Sequence, residues 1–368
     1  MQREITSEEA KLYDRQIRLW GMEAQKRMRN ARLCVVQFSG LATEIIKNLV
    51  LAGVGELTIL DDAVATKLDL ESNFFLTKDD IGKSRAESAI KRIEALNPNV
   101  NVKADVANSK DKDASYFRSF DVVICCEAAL PEQFRINSAC RDVAGGGKDP
   151  VFFASMCMGY DAFFFEDVGP TFQYMPKSAG GDSNGGERKN GESSTANKLK
   201  TVHGISMKEA FSTINTIARC KEILGRRMRR HLRLLSTVTI LVRNALAEQE
   251  GGEYTSDLSS LKRTREKLSP KEAADAVVSD ADLESSALTF GGALTSVLSI
   301  VGGIMAQEAL KVVSRKGEPL HNCVLYDGKR AGGREVFLPP PPVLTSGKAE
   351  RIASRKRKAP PVEVLDIL

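Results

Sequence analysis

Strand-like and helix-like stretches alternate from Arg32 to Cys157, and that alternation limits what the chain can fold into more than any other feature. Arg32 to Phe38 is an apolar run, Leu41 to Ala52 places Leu41, Ile45, Leu49 and Ala52 on one helical face, and Glu56 to Asp61 is apolar again. Gly53 and Gly55 stand where a helix ends and the chain must turn. A helix from Lys83 to Leu96, stopped by Asn97-Pro98, is followed by strands near Val100 to Val106 and from Asp121 to Cys126. A helix near Pro131 to Val143 and a strand from Val151 to Cys157 complete the series. Units of this kind imply an α/β fold: a Rossmann-like, mainly parallel sheet with helices on both faces.

The pattern stops after about Phe172, so residues 1–175 form the first segment of the α/β domain. Residues 176–285 read as an insertion. Its start, 177–200, is rich in glycine, serine and charge and is expected to be a disordered loop. The remainder leans to helix and holds the run Arg226-Arg227-Met228-Arg229-Arg230. Residues 286–340 return to the domain through a helix at Leu294 to Ser314, whose Gly302-Gly303 would allow close packing, and strands at His321 to Tyr326 and Glu335 to Leu338. Residues 341–368 form a flexible basic tail. Its cluster Arg355-Lys356-Arg357-Lys358 suits either nuclear import or a solvated tail, and the closing VEVLDIL either frays or adds a strand to a small partner. The expected compartment is the nucleus, with the cytoplasm as a second.

A formal charge of +5 without a continuous basic stripe gives no reason to expect nucleic-acid binding. The amino terminus lacks the apolar core of a secretory signal, and the best apolar run, Val297 to Leu310, is broken by glycines, Gln307 and Glu308. No membrane association is expected, and the chain reads as intracellular and soluble. Seven cysteines form no CxxC pair and three histidines are scattered, so no metal site is expected. Cys34, Cys125, Cys126 and Cys157 fall in apolar runs that suit reduced core residues.

The first strand-to-helix turn reads Val36-Gln37-Phe38-Ser39-Gly40-Leu41-Ala42 and holds one glycine. A phosphate-binding turn uses several, because side chains there would take the space of the pyrophosphate. Asp61 nevertheless ends the next strand, about 20 residues on, where a ribose hydroxyl would be met. Either this is a dinucleotide-binding oxidoreductase with an atypical turn, or the pocket no longer serves a nucleotide.

The segment YDRQIRLWG at 13–21 bears on that choice. With EIIKNLVLAGVGELTILD, DLESNFFL at 69–76, IGKSRAES at 81–88, LNPNV at 96–100, VGGIMAQEALK at 301–311 and YDG at 326–328, it resembles the ubiquitin-like-modifier activating enzymes and their bacterial adenylating relatives. Length and layout are most similar to the smaller subunit of that family's heterodimeric SUMO-activating branch; other branches serve other modifiers.

In active members of the family the turn is G-x-G-G-x-G, where this chain has Gln37, Ser39, Gly40 and Ala42. Their second aspartate is matched by Ala63, their phosphate-binding arginine by Ser72, and their phosphate-facing lysine by Arg85. Cys126-Glu127-Ala128-Ala129 stands where a metal-linked aspartate is expected, with Glu127 the one nearby acid. The resemblance therefore implies a vestigial nucleotide pocket around Gly40 and Asp61, no cofactor bound by this chain, and ATP with Mg in a larger catalytic partner subunit that handles SUMO. It also implies that Arg15, in the YDRQIR segment, acts in trans on the partner's ATP. Arg18 reads as surface charge, and Leu19 and Trp20 as anchors of the helix in the core or at an interface. Cys220, between Arg219 and Lys221, has no acid-base neighbour in sequence and is assigned no catalysis.

Overall fold

The computed structural model describes residues 4–176, 199–225, 231–249, 257–269, 277–289, 292–320, 322–330 and 332–338. The expected loop up to residue 198, the basic run Arg226–Arg230 and the tail lie outside these.

Three helices, α1 (Ser7–Leu12), α2 (Asp14–Trp20) and α3 (Met22–Asn30), precede the sheet. Then come β1 (Arg32–Val36), α4 (Gly40–Ala52), β2 (Glu56–Leu60), α5 (Arg85–Glu94), β3 (Asn101–Asp105), α6 (Ala114–Phe117), β4 (Val122–Cys126), α7 (Leu130–Arg141) and β5 (Val151–Gly159). The chain continues as β6 (Asp161–Asp167), β7 (Phe172–Tyr174), β8 (Lys200–Val202), α8 (Met207–Ser212), α9 (Ile217–Leu224), α10 (Leu232–Gln249), α11 (Leu258–Leu268) and α12 (Asp280–Leu288). It closes with β9 (Gly292–Ala293), α13 (Thr295–Ser314), β10 (Asn322–Asp327) and β11 (Gly332–Phe337).

The main sheet runs β11-β10-β6-β5-β4-β1-β2-β3, with β9 beside β5. Strands β3, β2, β1, β4 and β5 are parallel, in the order expected of a Rossmann-like half, and β6, β10 and β11 extend it antiparallel. The β6 strand, Asp161–Asp167, escaped the sequence reading, because its alanine and three phenylalanines follow a one-residue turn at Tyr160 without further punctuation.

Local chemistry sets the helix ends near the crevice. Ser39 caps α4 by accepting from the Ala42 N–H at 3.3 Å, and Gly53 closes it in the left-handed region at φ +80°. Ser84 caps α5 in the same way, accepting from the Glu87 N–H.

Alternate residues of the strands feed two cores. Leu33, Val35, Leu57, Ile59 and Ile124 face α4 and α13, whereas Cys34, Val36, Val123, Phe152 and Phe163 face α7 and the helices of 207–288. The segment that reads as an insertion thus supplies much of one helical layer. Helix α13 is long and apolar enough to span a membrane, yet it packs on α4 in the first core. A Cβ on Gly302 would lie 2.7 Å from Glu44 Cβ, so this glycine permits the close crossing; Gly303 faces open space and does not. All seven cysteines are free and buried.

Candidate functional site

The carboxyl ends of β1 and β4 meet where the strand order reverses, the place at which open α/β sheets bind ligands. Each strand is followed by a residue with positive φ that is not glycine: Gln37 at 65° after β1 and Glu127 at 57° after β4. Gln37 keeps the backbone of a glycine turn without the glycine, a conformation costing an ordinary residue about 1–2 kcal/mol. Two hydrogen bonds brace it: the Gln37 N–H donates to Leu60 O at 3.0 Å, and Asn73 Nδ2 donates to Phe38 O at 3.2 Å.

Side chains occupy the space in front of α4. A Cβ on Gly40 would lie 2.5 Å from Ser72 Oγ and 2.9 Å from Leu298 Cδ1, so Ser72 rests directly on the one glycine that remains. The Glu127 carboxyl stands near Ser39, Cys157 and the Leu41 backbone, and its Oε1 is buried without a hydrogen-bond partner. Burial pushes this carboxyl up to about 7, against the opposing pull of those polar neighbours. A phosphate at the amino end of α4 would meet a serine side chain and a second acid rather than a row of open N–H groups.

The acid and the cation that would serve a nucleotide are bound to each other. Arg85 Nε and Nη2 donate to the two oxygens of buried Asp61, both at 2.8 Å, and Nη1 donates to Asp69 Oδ1 at 2.8 Å. Burial alone would lower the guanidinium, but the hydrogen bonds and charge of Asp61, then those of Asp69, override it and raise it. Burial likewise opposes ionisation of Asp69, yet Thr66 and Arg85 hold its carboxyl below the usual range.

The amino-terminal arm is built differently. Tyr13 is 3% exposed. It ends α1 and begins α2, and its hydroxyl accepts from Asn97 Nδ2 at 2.7 Å. Arg29 Nε donates to Glu9 Oε1 at 2.7 Å, tying α1 to α3. On α2, Arg18 pairs with Asp14 at 2.9 Å, whereas Arg15 is exposed and makes no ion pair or hydrogen bond among the described residues. Trp20 packs against the first core, while Leu19 is 77% exposed, which leaves it outside both cores.

A family model described as ThiF family matches residues 13–342. The chain belongs to the ThiF family. Among curated relatives of this ThiF-family chain, SUMO-activating enzyme subunit 1 of Homo sapiens is 31% identical, with 91% of this chain and 97% of the relative covered. The protein of the same name from Danio rerio is 30% identical over 89% and 94%. DNA damage tolerance protein RHC31 of Saccharomyces cerevisiae is 29% identical over 88% and 95%. A crystal structure of E. coli MccB with MccA-N7isoASN is similar in fold, at a TM-score of 0.51 and 12% identity, covering 91% of this chain and 73% of that one.

Contacts link Gly40 to Ser72 and Asp61 to Arg85 beyond the carboxyl ends of β1 and β2, and no hydrogen bond or ion pair joins Arg15 to any of them. Among the described residues no group of three or more His, Cys, Asp or Glu is placed to hold a metal ion. Cys220 lies buried on α9 against Thr239, and burial raises its thiol, so the flanking Arg219 and Lys221 do not activate it. Sequence reasoning missed the bracing by Asn73, the Asp69 arm of the Arg85 cluster and the Tyr13–Asn97 contact. Only the recurrence of Tyr13 and Asn97 within the family-like segments YDRQIRLWG and LNPNV hinted at the last.

Proposed function

We propose that this chain is the smaller, regulatory subunit of a SUMO-activating enzyme, without a complete active site of its own. Its larger partner holds ATP and Mg and the modifier. In the reaction, a carboxylate oxygen of the SUMO carboxyl terminus bonds to the α-phosphorus of ATP, the bond from that phosphorus to the bridging oxygen breaks, and pyrophosphate leaves. Negative charge gathers on the phosphate oxygens in the transition state, so a fixed cation near them accelerates the step. Arg15 is that cation, delivered across the dimer: a guanidinium stays protonated and offers planar paired donors to phosphate oxygens.

The observation that carries this reading is the use of Arg85. Each of its three nitrogens donates to Asp61 or Asp69, so this cation already neutralises two acids and both oxygens of the buried Asp61 are engaged within the chain. Ser72 on Gly40 and the unpartnered oxygen of Glu127 support the same conclusion from the phosphate side. An oxidoreductase would need that crevice open for a pyrophosphate, and nothing in its geometry favours that alternative.

The test is SUMO-dependent exchange between ATP and labelled pyrophosphate. The chain alone should show none, and the assembled heterodimer should show it. Arg15→Ala should lower it about a hundredfold or more while the heterodimer stays intact on gel filtration. Exchange by the lone chain, or charging of a different modifier, would defeat the proposal.

A further inference from the structure

Helix α2 carries Arg15 and holds no fully buried residue; its Trp20 packs against the first core at the carboxyl end, so what holds the amino end, next to Arg15, bears most on where that arginine stands. From residue 4 to residue 23 the buried residues are Glu9 and Tyr13 alone. Tyr13 is two positions from Arg15 and is the point from which α2 starts. Its ring lies over Gly53, where an added Cβ would sit 2.5 Å from both Cζ and the hydroxyl oxygen. Only glycine leaves that room, and Gly53 also holds the left-handed φ of +80° that closes α4.

The hydroxyl is held by an amide with no freedom left. Asn97 Nδ2 donates to Tyr13 at 2.7 Å and to Val50 O, near the carboxyl end of α4, at 2.8 Å. Its Oδ1 accepts from the Asn99 N–H at 3.2 Å, within the Pro98 turn. Both amide hydrogens and the carbonyl are thus used, so the side chain can neither flip nor slide without breaking a buried hydrogen bond. Three stretches that are far apart in sequence meet here: the start of YDRQIRLWG, the glycine after α4, and LNPNV.

We infer that Tyr13, Asn97 and Gly53 form a positioning anchor that sets the reach and direction of Arg15 toward the reacting phosphate of the partner. The inference rests on the reading of Arg15 given above. The three are positioning residues: none is placed against substrate, and each acts through α2. Orientation of a charged group is worth large factors in rate only when it is fixed before the reaction, and a helix end held by a ring and a hydrogen bond meets that need.

The experiment uses the heterodimer assembled with its catalytic partner, carrying Tyr13→Phe or Asn97→Ala, in the native and the Arg15→Ala backgrounds. SUMO-dependent pyrophosphate exchange gives kcat and the KM for ATP. Each substitution should lower kcat about three- to tenfold, with the KM for ATP changed less than about twofold. In the Arg15→Ala background neither should cause further loss, because an anchor without its arginine has nothing to position. An unchanged kcat, or a loss of equal size in both backgrounds, overturns the anchor. A silent Arg15→Ala instead overturns the reading beneath it, so the two failures are distinct. Tyr13→Phe removes one oxygen and keeps the ring on Gly53, and it decides the matter if Asn97→Ala does not fold.

Discussion

The two ends of α4 have met opposite fates. At its start, the turn from β1 has the bend of a phosphate-binding loop but side chains where such a loop has glycines: Gln37 holds a left-handed φ of 65°, and Ser72 covers Gly40. At its end, Gly53 is present because the Tyr13 ring leaves no space for a Cβ. The same helix therefore runs from a glycine on which the Ser72 side chain rests to one on which the chain's own tyrosine ring rests. Glycine survives where another atom fills its missing side chain.

The comparison breaks most visibly at Gly53. Gly53→Ala would place a methyl 2.5 Å from Tyr13 in a residue already at φ +80°. The backbone term alone is about 1–2 kcal/mol, and displacing a buried ring adds about 1–3 kcal/mol. Urea unfolding should therefore show a loss of roughly 2–4 kcal/mol, and an unshifted midpoint would show that the ring does not need the glycine.

The opposite end has a different signature, one that depends on pH. The Glu127 carboxyl is pushed up to about 7 by burial, whereas a glutamate in an unfolded chain titrates near ~4.3. Below about 4.3 both states carry the proton and the folded state has no penalty. As pH rises from there through 7 the unfolded chain releases its proton first, and stability is lost. Allowing for water at the half-buried side chain, the loss is on the order of 2 kcal/mol. Glu127→Gln cannot titrate, so its unfolding free energy relative to the native chain should climb between about pH 4.3 and 7 and then level off. A difference that stays flat across that interval would mean that the carboxyl is not confined at the helix start.

How much of this the sequence discloses follows from what carries each signal. The parallel strands and α4 are legible because apolar spacing and the Gly53 stop are local. The missing glycines are legible for the same reason. What replaced them is not: Ser72 reaches Gly40 from 32 residues away, and Arg85 reaches Asp61 across 24. Nothing local distinguishes an arginine that faces a phosphate from one that neutralises a buried aspartate. Composition sets residues 176–285 apart as an insertion, yet helices at 207–288 bury Phe211, Leu235, Val238 and Leu241 in the same core as Val123 and Phe152 of the sheet. Their polar connections hide an apolar face that becomes evident only when packed.

The smallest expected effect tests whether the turn is strained or merely altered. Gln37 has no measure of compensation from its own conformation, since a side chain at φ 65° crowds its backbone, while the hydrogen bond from its N–H to Leu60 O would survive replacement by glycine. Gln37→Gly removes the crowding, worth about 1–2 kcal/mol, and adds the freedom that glycine has in the unfolded chain, which costs about 0.5–1 kcal/mol. The balance is a gain of up to about 1 kcal/mol in urea unfolding, with SUMO-dependent exchange by the heterodimer unchanged, because Ser72 still covers Gly40 and Arg85 still engages Asp61. Nucleotide binding by that single variant would show that Gln37 alone keeps the nucleotide out, and would leave Ser72 and Arg85 no part in it.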